Sequence, residues 1–265
     1  MSEPSLTHLL DVAICAAEAA GHHAFNHKER RNETSETFNH DVKLVLDVES
    51  QKAAEAVITR EFPSHGILGE EDASPSQTSE YEWIIDPIDG TMNFSHGFEY
   101  WCSSVAVRHK NQVVAGCVFA PDFNATYTAH IEGQAKLNGS PIQVSHTDCL
   151  TKAMVFTGIS KEMETKPDLH FSLFRTLALD TKKLRINGAA ALDLCRLADG
   201  TADGFFESGI FLWDYAAAAL IAERAGASIA VYPDISHPLG ATVLASNEKL
   251  IQGLKAIYSQ SIQPL

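Results

Sequence analysis

Apolar side chains near the start of the chain recur at helical spacing. Leu9, Leu10, Ala13, Ile14, Ala17 and Ala20 share one stripe and predict a long amphipathic helix over about 5–27. Residues 28–40 are polar and charged and predict a loop. Asp47 then reads as an N-cap, followed by a second helical stripe of Val48, Ala53, Ala54, Val57 and Ile58 that ends before Pro63. Ile67-Leu68-Gly69 and Tyr81–Ile85 predict strands on either side of a Ser/Pro loop over 73–79.

From about residue 100 the signal turns β-rich, with strands predicted over 104–108, 113–120 and 125–129. Past residue 150 strand and helix alternate. Strands are predicted over 154–157, 184–186, 203–206, 228–232 and 241–245, and helices over 167–179, 188–198, 213–225 and 247–260. The first half, 1–145, is thus expected to be α+β with an antiparallel sheet. The second, 146–265, is expected to be α/β with connected strand–helix units, the two forming one compact unit with a soft boundary. The chain shows no internal repeat and no low-complexity tract.

With 265 residues, 45% of them hydrophobic, the chain can bury a substantial core. Lys and Arg total 20 against 34 Asp and Glu, a formal charge of −14. Such a surface repels nucleic acid and anionic membranes, so neither is an expected partner. It does not repel a phosphate where metal ions reverse the local field. Cys15, Cys102, Cys117, Cys149 and Cys195 are odd in number and form no C-x-x-C pair, which predicts reduced, mostly buried thiols in a cytoplasmic protein. Asp11 and Glu18 inside the first segment argue against a signal peptide, and no apolar run approaches the length of a membrane span.

Four segments carry candidate chemistry. Gly69-Glu70-Glu71-Asp72 is an acidic cluster after a short apolar strand; taken alone, a solvated turn explains it. Asp86-Pro87-Ile88-Asp89 places two carboxylates three residues apart around a proline, so that Asp86, Asp89 and the Ile88 carbonyl can converge; a strand-to-turn cap is the structural alternative. Gly188-Ala189-Ala190-Ala191 at a predicted helix start leaves room for an anion at free N–H groups, or simply for close packing. Asp214, in Trp213-Asp214-Tyr215, sits in a first helical turn where the macrodipole favours a carboxylate.

Together these segments resemble the inositol monophosphatase family of Mg²⁺-dependent, lithium-sensitive phosphomonoesterases. The motifs are Gly69-Glu70-Glu71, Asp86-Pro87-Ile88-Asp89-Gly90-Thr91 and Trp213-Asp214, in the family's order and spacing. The likeness extends through 185–191 and 200–207 and covers about residues 7–260. It implies a layered α-β-α-β-α sandwich with an antiparallel sheet in its first half. It further implies that Glu70, Asp86 and the Ile88 carbonyl hold one Mg²⁺, that Asp86, Asp89 and Asp214 hold a second, and that Glu70 also helps a weaker third. Thr91, paired with Asp47, would orient and activate the attacking water. The amides of Gly90 and Thr91 would cradle the phosphate, while Asp89, Gly188, Ala190, Glu207 and Asp214 would face the alcohol. Four carboxylates in one pocket repel one another unless cations fill it, which agrees with that scheme.

Two departures stand out. The family often carries a lysine about eleven residues before Asp47; here that position falls near Glu36, with Lys43 closer, read as a surface lysine or a substitute. Met92 stands where a second threonine is frequent. His23 and His27 are spaced i, i+4 but lack the glutamate of a zinc-protease motif, and read as an exposed or packed pair. Trp101, Cys102 and Phe205-Phe206 read as packing, and Lys161 as a residue within reach of substrate.

The expected activity is hydrolysis of a small polyol or sugar monophosphate, foremost myo-inositol monophosphate, by metal-activated water in a homodimer. The alternatives are a 3′(2′),5′-bisphosphate nucleotidase, a fructose-1,6-bisphosphatase, or a binding or regulatory homologue without turnover.

Overall fold

The structure is a computed structural model that describes residues 3–37, 42–71, 79–159, 167–235 and 237–261. Helices Leu6–Asn26 (α1) and Val45–Glu61 (α2) pack side by side against one face of a seven-stranded sheet. Its strands are Gly66–Gly69 (β3), Tyr81–Asp89 (β4), Cys102–His109 (β5), Gln112–Ala120 (β6), Ala125–His130 (β7), Lys136–Leu137 (β8) and Ser140–Pro141 (β9), hydrogen-bonded in that order. All neighbours are antiparallel except β3 and β4. Side chains alternate between the two faces as the pleat requires. Trp83 and Ile85 join the core beneath α1 and α2, while Ile84 joins the core on the other face.

That other face is covered by Ala190–Ala198 (α5) and Leu212–Arg224 (α6). Beyond them lies a five-stranded sheet ordered β11-β10-β12-β14-β13, from Lys183–Ile186, Met154–Thr157, Gly204–Phe211, Gly240–Ser246 and Ser228–Pro233. Helices Pro167–Asp180 (α4) and Ile251–Ser261 (α7) close its outer face. Phe205 faces the inner core and Phe206 the outer one, so one dipeptide touches two layers. The architecture is the expected α-β-α-β-α sandwich. Its largest apolar cluster joins Ile84, Ala106 and Val118 to Phe156, Leu192 and Val243, so residue 145 does not interrupt it. Among the described residues no helix is long and apolar enough to cross a membrane.

Several local expectations are corrected. The stretch 28–40 is not all loop: it contains a 3₁₀ turn at Lys28–Arg30 and a strand, Thr34–Thr37 (β1), paired with Val42–Leu44 (β2). Glu36 pairs with Lys43 across that ribbon. A strand reading Thr-Ser-Glu-Thr has no apolar alternation to betray it. Asp47 is not the N-cap but lies three residues inside α2, where its Oδ2 accepts the Leu44 amide at 2.6 Å. The helix expected from residue 188 starts at Ala190, because Gly188 adopts φ +83° and Ala189 is extended. The closing helix starts at Ile251, since the Asn247 side chain accepts the Lys249 and Leu250 amides and holds a turn there. The second sheet is mixed: β11, β10 and β12 run parallel, and β14 lies antiparallel to both of its neighbours, β12 and β13. The loop expected over 73–79 lies almost wholly outside the described residues, as do 38–41 and Lys161.

Candidate active site

Two carboxylates three positions apart on a regular strand point to opposite faces. Asp86 and Asp89 escape that rule through a bulge. Asp86 pairs with Ser104 and Asp89 with Cys102, so three steps on β4 match two on β5. Pro87, which has no amide hydrogen to lose, sits inside the bulge. The Ser103 hydroxyl donates to the Pro87 carbonyl at 2.6 Å, and the Ile88 amide donates to Asp86 Oδ1 at 3.1 Å. Beneath the bulge, Ile88 packs with Leu44, Leu46, Phe94 and Trp101, which ties the start of α2 and its Asp47 to this segment.

Gly90 ends β4 at φ +93°, and a side chain there would sit 3.1 Å from the carbonyls of Gly188 and Tyr100. It leads into a short helix, Thr91–His96 (α3). Glu70 follows β3, its amide donating to the Ile85 carbonyl at 3.1 Å. Gln51 braces the same turn by accepting the Glu71 amide at 2.9 Å. Asp214 lies in the first turn of α6 and accepts the Phe211 amide at 2.7 Å.

These elements bring Glu70, Asp86, Ile88, Asp89, Gly90, Thr91, Gly188, Ala190, Glu207 and Asp214 to a single cavity of about 390 Å³. Asp47 is buried behind it, near enough for its charge to act on Asp86. The Thr91 hydroxyl donates to the Ile88 carbonyl at 3.0 Å, while Asp47 Oδ2 is engaged with Leu44. Ala190 lines the cavity, while its amide donates to Asp89 Oδ1 at 3.1 Å. Asp89 also accepts the Ala191 amide at 2.8 Å and so caps α5 from another layer. Lys43 pairs with Glu71 at 2.8 Å and is not among the described lining residues.

The electrostatics are those of crowded, buried acids. Burial, then the charges of Glu70, Asp89, Asp214 and Asp47, holds the Asp86 carboxyl well above its ordinary range. Burial pushes Asp89 up to about 7, against the hydrogen bonds from Ala191 and Cys102 that favour its anion. Glu207 is raised by burial and then by Asp193, Asp214 and Asp89. All the candidate donors are oxygens, which suits Mg²⁺, and a cation among them would reverse this penalty. Among the described residues no three such side chains close into a ready-made chelate.

The sequence reading missed the apolar lining residues Ile159, Ile186 and Ile210, and it credited Met92 only with packing. It also missed Asp193, a buried carboxyl that accepts from the Tyr100 hydroxyl and the Asn187 amide nitrogen, each at 2.7 Å. Asn93 links the same region by donating to the carbonyls of Tyr100 (2.7 Å) and Asn187 (2.8 Å). Elsewhere, His23 bonds Glu49 at 3.0 Å and packs against His27 with the rings tilted by 33°. Trp101 donates to Asp122 at 2.6 Å, and Phe205 and Phe206 are core.

Comparison with known proteins agrees with this architecture. A model of the inositol monophosphatase family matches residues 5–261. The chain is 32% identical over 253 residues to the Nus factor SuhB of Vibrio cholerae, covering 94% of each chain. It is 31% identical over 249 residues to the fructose-1,6-bisphosphatase/inositol-1-monophosphatase of Aquifex aeolicus, covering 93% of each. The inositol monophosphatase structure from Anabaena (Nostoc) superimposes with a TM-score of 0.85 at 30% identity, covering 98% of both chains. With fold, motif order and family model in agreement over nearly its whole length, the chain belongs to the inositol monophosphatase family.

Proposed function

We propose that the chain hydrolyses the phosphate monoester of a small polyol or sugar in a Mg²⁺-dependent reaction, with myo-inositol monophosphate the first substrate to try. The observation that supports this most is the convergence of Glu70, Asp86, Asp89, Thr91 and Asp214 on one cavity from four separate elements. Glu70, Asp86, the Ile88 carbonyl, Asp89 and Asp214 make an oxygen donor set for two Mg²⁺, with Glu70 serving a weaker third. Mg²⁺ held there would supply charge to neutralise the phosphate and to lower the pKa of a bound water.

The chain's own groups do the rest. Because the Thr91 hydroxyl donates to Ile88, its lone pairs are left to accept from the attacking water and orient it. Asp47 is the buried carboxylate assigned to receive the proton. The amides of Gly90 and Thr91 face the phosphate, and Gly188, Ala190 and Glu207 the departing alcohol. A second phosphate would meet acidic and apolar side chains, with no Lys, Arg or His among the described lining residues. That favours a monophosphate over the bisphosphate alternatives. The buried, unpaired thiols of Cys102, Cys117 and Cys195 support a reducing, cytoplasmic setting, and a lithium-sensitive homodimer completes the reading.

A second reading, that the chain also serves as a Nus factor, rests on the name several relatives bear. A Mg²⁺-dependent phosphate-release panel decides the first. It would contain inositol 1-phosphate, fructose 1,6-bisphosphate and adenosine 3′,5′-bisphosphate, each with and without millimolar lithium. Release from inositol 1-phosphate, suppressed by lithium, is expected. Release from none of them would leave the binding role standing alone.

A further inference from the structure

Two glycines that line the cavity, Gly90 and Gly188, touch although they come from different layers. Gly90 follows β4 of the first sheet, and Gly188 lies between β11 of the second sheet and α5. A Cβ on Gly90 would stand 3.1 Å from the Gly188 carbonyl oxygen. Such a contact has no side chains of its own to set the spacing. Both glycines have positive φ, +93° and +83°, and glycine backbone is the least restrained of any residue. The helix ladder of α5 does not reach Gly188 either, since the Asp193 amide donates to Ala189.

Asn93 supplies the restraint. It lies in α3, and its Nδ2 donates to the carbonyls of Tyr100 at 2.7 Å and Asn187 at 2.8 Å, with a longer contact to Gly188 at 3.4 Å. Carbonyls only accept, so the group facing all three is the NH2. The Asn93 carbonyl accepts the Phe98 amide at 2.8 Å, which fixes the end of α3. Tyr100 and Asn187 are each gripped a second time, by Asp193 through their side chains. A short circuit of hydrogen bonds therefore joins the helix that begins at Thr91 to the segment that carries Gly188.

We propose that Asn93 is a positioning residue for the reaction. It holds the Asn187–Gly188 segment, which meets the departing alcohol in the reading above, at a fixed spacing from the Gly90–Thr91 turn, which meets the phosphate. Asn93 is not among the described residues that line the cavity, so it acts through Gly188. The role rests on the phosphatase reading and deepens it.

The test measures kcat and KM for myo-inositol 1-phosphate, and inhibition by inorganic phosphate, with Mg²⁺, in the full chain, Asn93→Ala and Asn93→Asp. Inorganic phosphate has no alcohol half and probes the Gly90–Thr91 turn alone. In Asn93→Ala, KM should rise about fivefold, the worth of roughly one net hydrogen bond. The change in kcat should be far smaller, and the inhibition constant for phosphate should hold within about twofold. Asn93→Asp sets oxygen acceptors against three carbonyls and should raise KM further. Melting temperatures would verify folding, and Asn93→Ala, which only deletes atoms, decides the matter if Asn93→Asp does not fold. A KM at the parent value with only a lower melting temperature would make Asn93 a structural brace and overturn the proposal. A KM and an inhibition constant that rise together would overturn it too, because the phosphate side would then have moved. No release from inositol 1-phosphate by the parent chain would instead overturn the inositol phosphatase reading, and this role with it.

Discussion

Asp89, at the end of β4, accepts the backbone amide of Ala191 in the first turn of α5 at 2.8 Å, across 102 positions of chain. A side chain assigned to metal binding is thus also the cap of a helix in another layer. Orphan amides at a helix start need an acceptor, and here it is supplied from a strand rather than from the preceding residue, Ala189, which has no side-chain oxygen.

Asp89→Asn is therefore expected to separate two roles. Loss of a direct ligand's charge should weaken Mg²⁺ binding by more than the roughly 10- to 100-fold typical of losing a partner behind a ligand, with a corresponding fall in phosphate release at fixed metal. The fold should survive, because the weakened cap costs about 1 kcal/mol and removal of one buried anion relieves repulsion of Asp86. Metal titration and thermal melting check both, and near-normal turnover would contradict the metal role.

Thr91→Ala removes the hydroxyl now 3.0 Å from the Ile88 carbonyl and leaves the carboxylates in place. The expected outcome is a fall in kcat of about 100-fold or more, with KM altered by less than about threefold. A change confined to KM would mean that Thr91 binds substrate and does not position water.

Asp193 supplies a pH signature at a carboxyl that is not itself a proposed ligand, although its charge reaches Asp89 and Glu207. Its carboxyl is raised from an ordinary 3.8 to about 7 by burial, only partly offset by Tyr100 and Asn187. The folded state thus holds this proton more tightly than the unfolded chain. The group's contribution to stability is complete below about pH 4 and is lost as pH rises through about 7. In metal-free protein, Asp193→Asn should gain on the parent in melting temperature between those limits and level off above them. A difference that stays constant with pH would show that Asp193 does not titrate in this way.

Gly90→Ala combines backbone strain at φ +93° with crowding 3.1 Å from two carbonyl oxygens. A cost of roughly 1–3 kcal/mol is expected, read as a drop of about 2–4 °C per kcal/mol. Phosphate release should fall as well, because Thr91 follows directly.

Much of this was legible beforehand through a family resemblance. Taken alone, Asp86-Pro87-Ile88-Asp89-Gly90-Thr91 and Trp213-Asp214 also read as caps; their resemblance to the family's motifs singled out the acids, and local patterns located α1, α6 and most strands. What stayed hidden were relationships that no local pattern encodes. The β1 strand has no apolar face. Asp89 capping α5 is a contact between distant residues. Ile159, Ile186 and Ile210 look like core positions until the backbone turns them toward the cavity. Asp47 was misread because it reaches back three residues to an amide from inside its helix, a geometry that composition alone does not distinguish from a cap at the boundary; Asp214, expected in a first helical turn, lies there and makes the same bond.

The mismatch of three steps against two between β4 and β5 has a consequence for anyone moving this centre into another scaffold. The letters Asp-Pro-Ile-Asp copied onto an evenly paired strand would aim one acid at the cleft and the other into hydrocarbon. What must be transplanted is the extra residue's offset, so shortening this segment by one should do more harm than most substitutions within it.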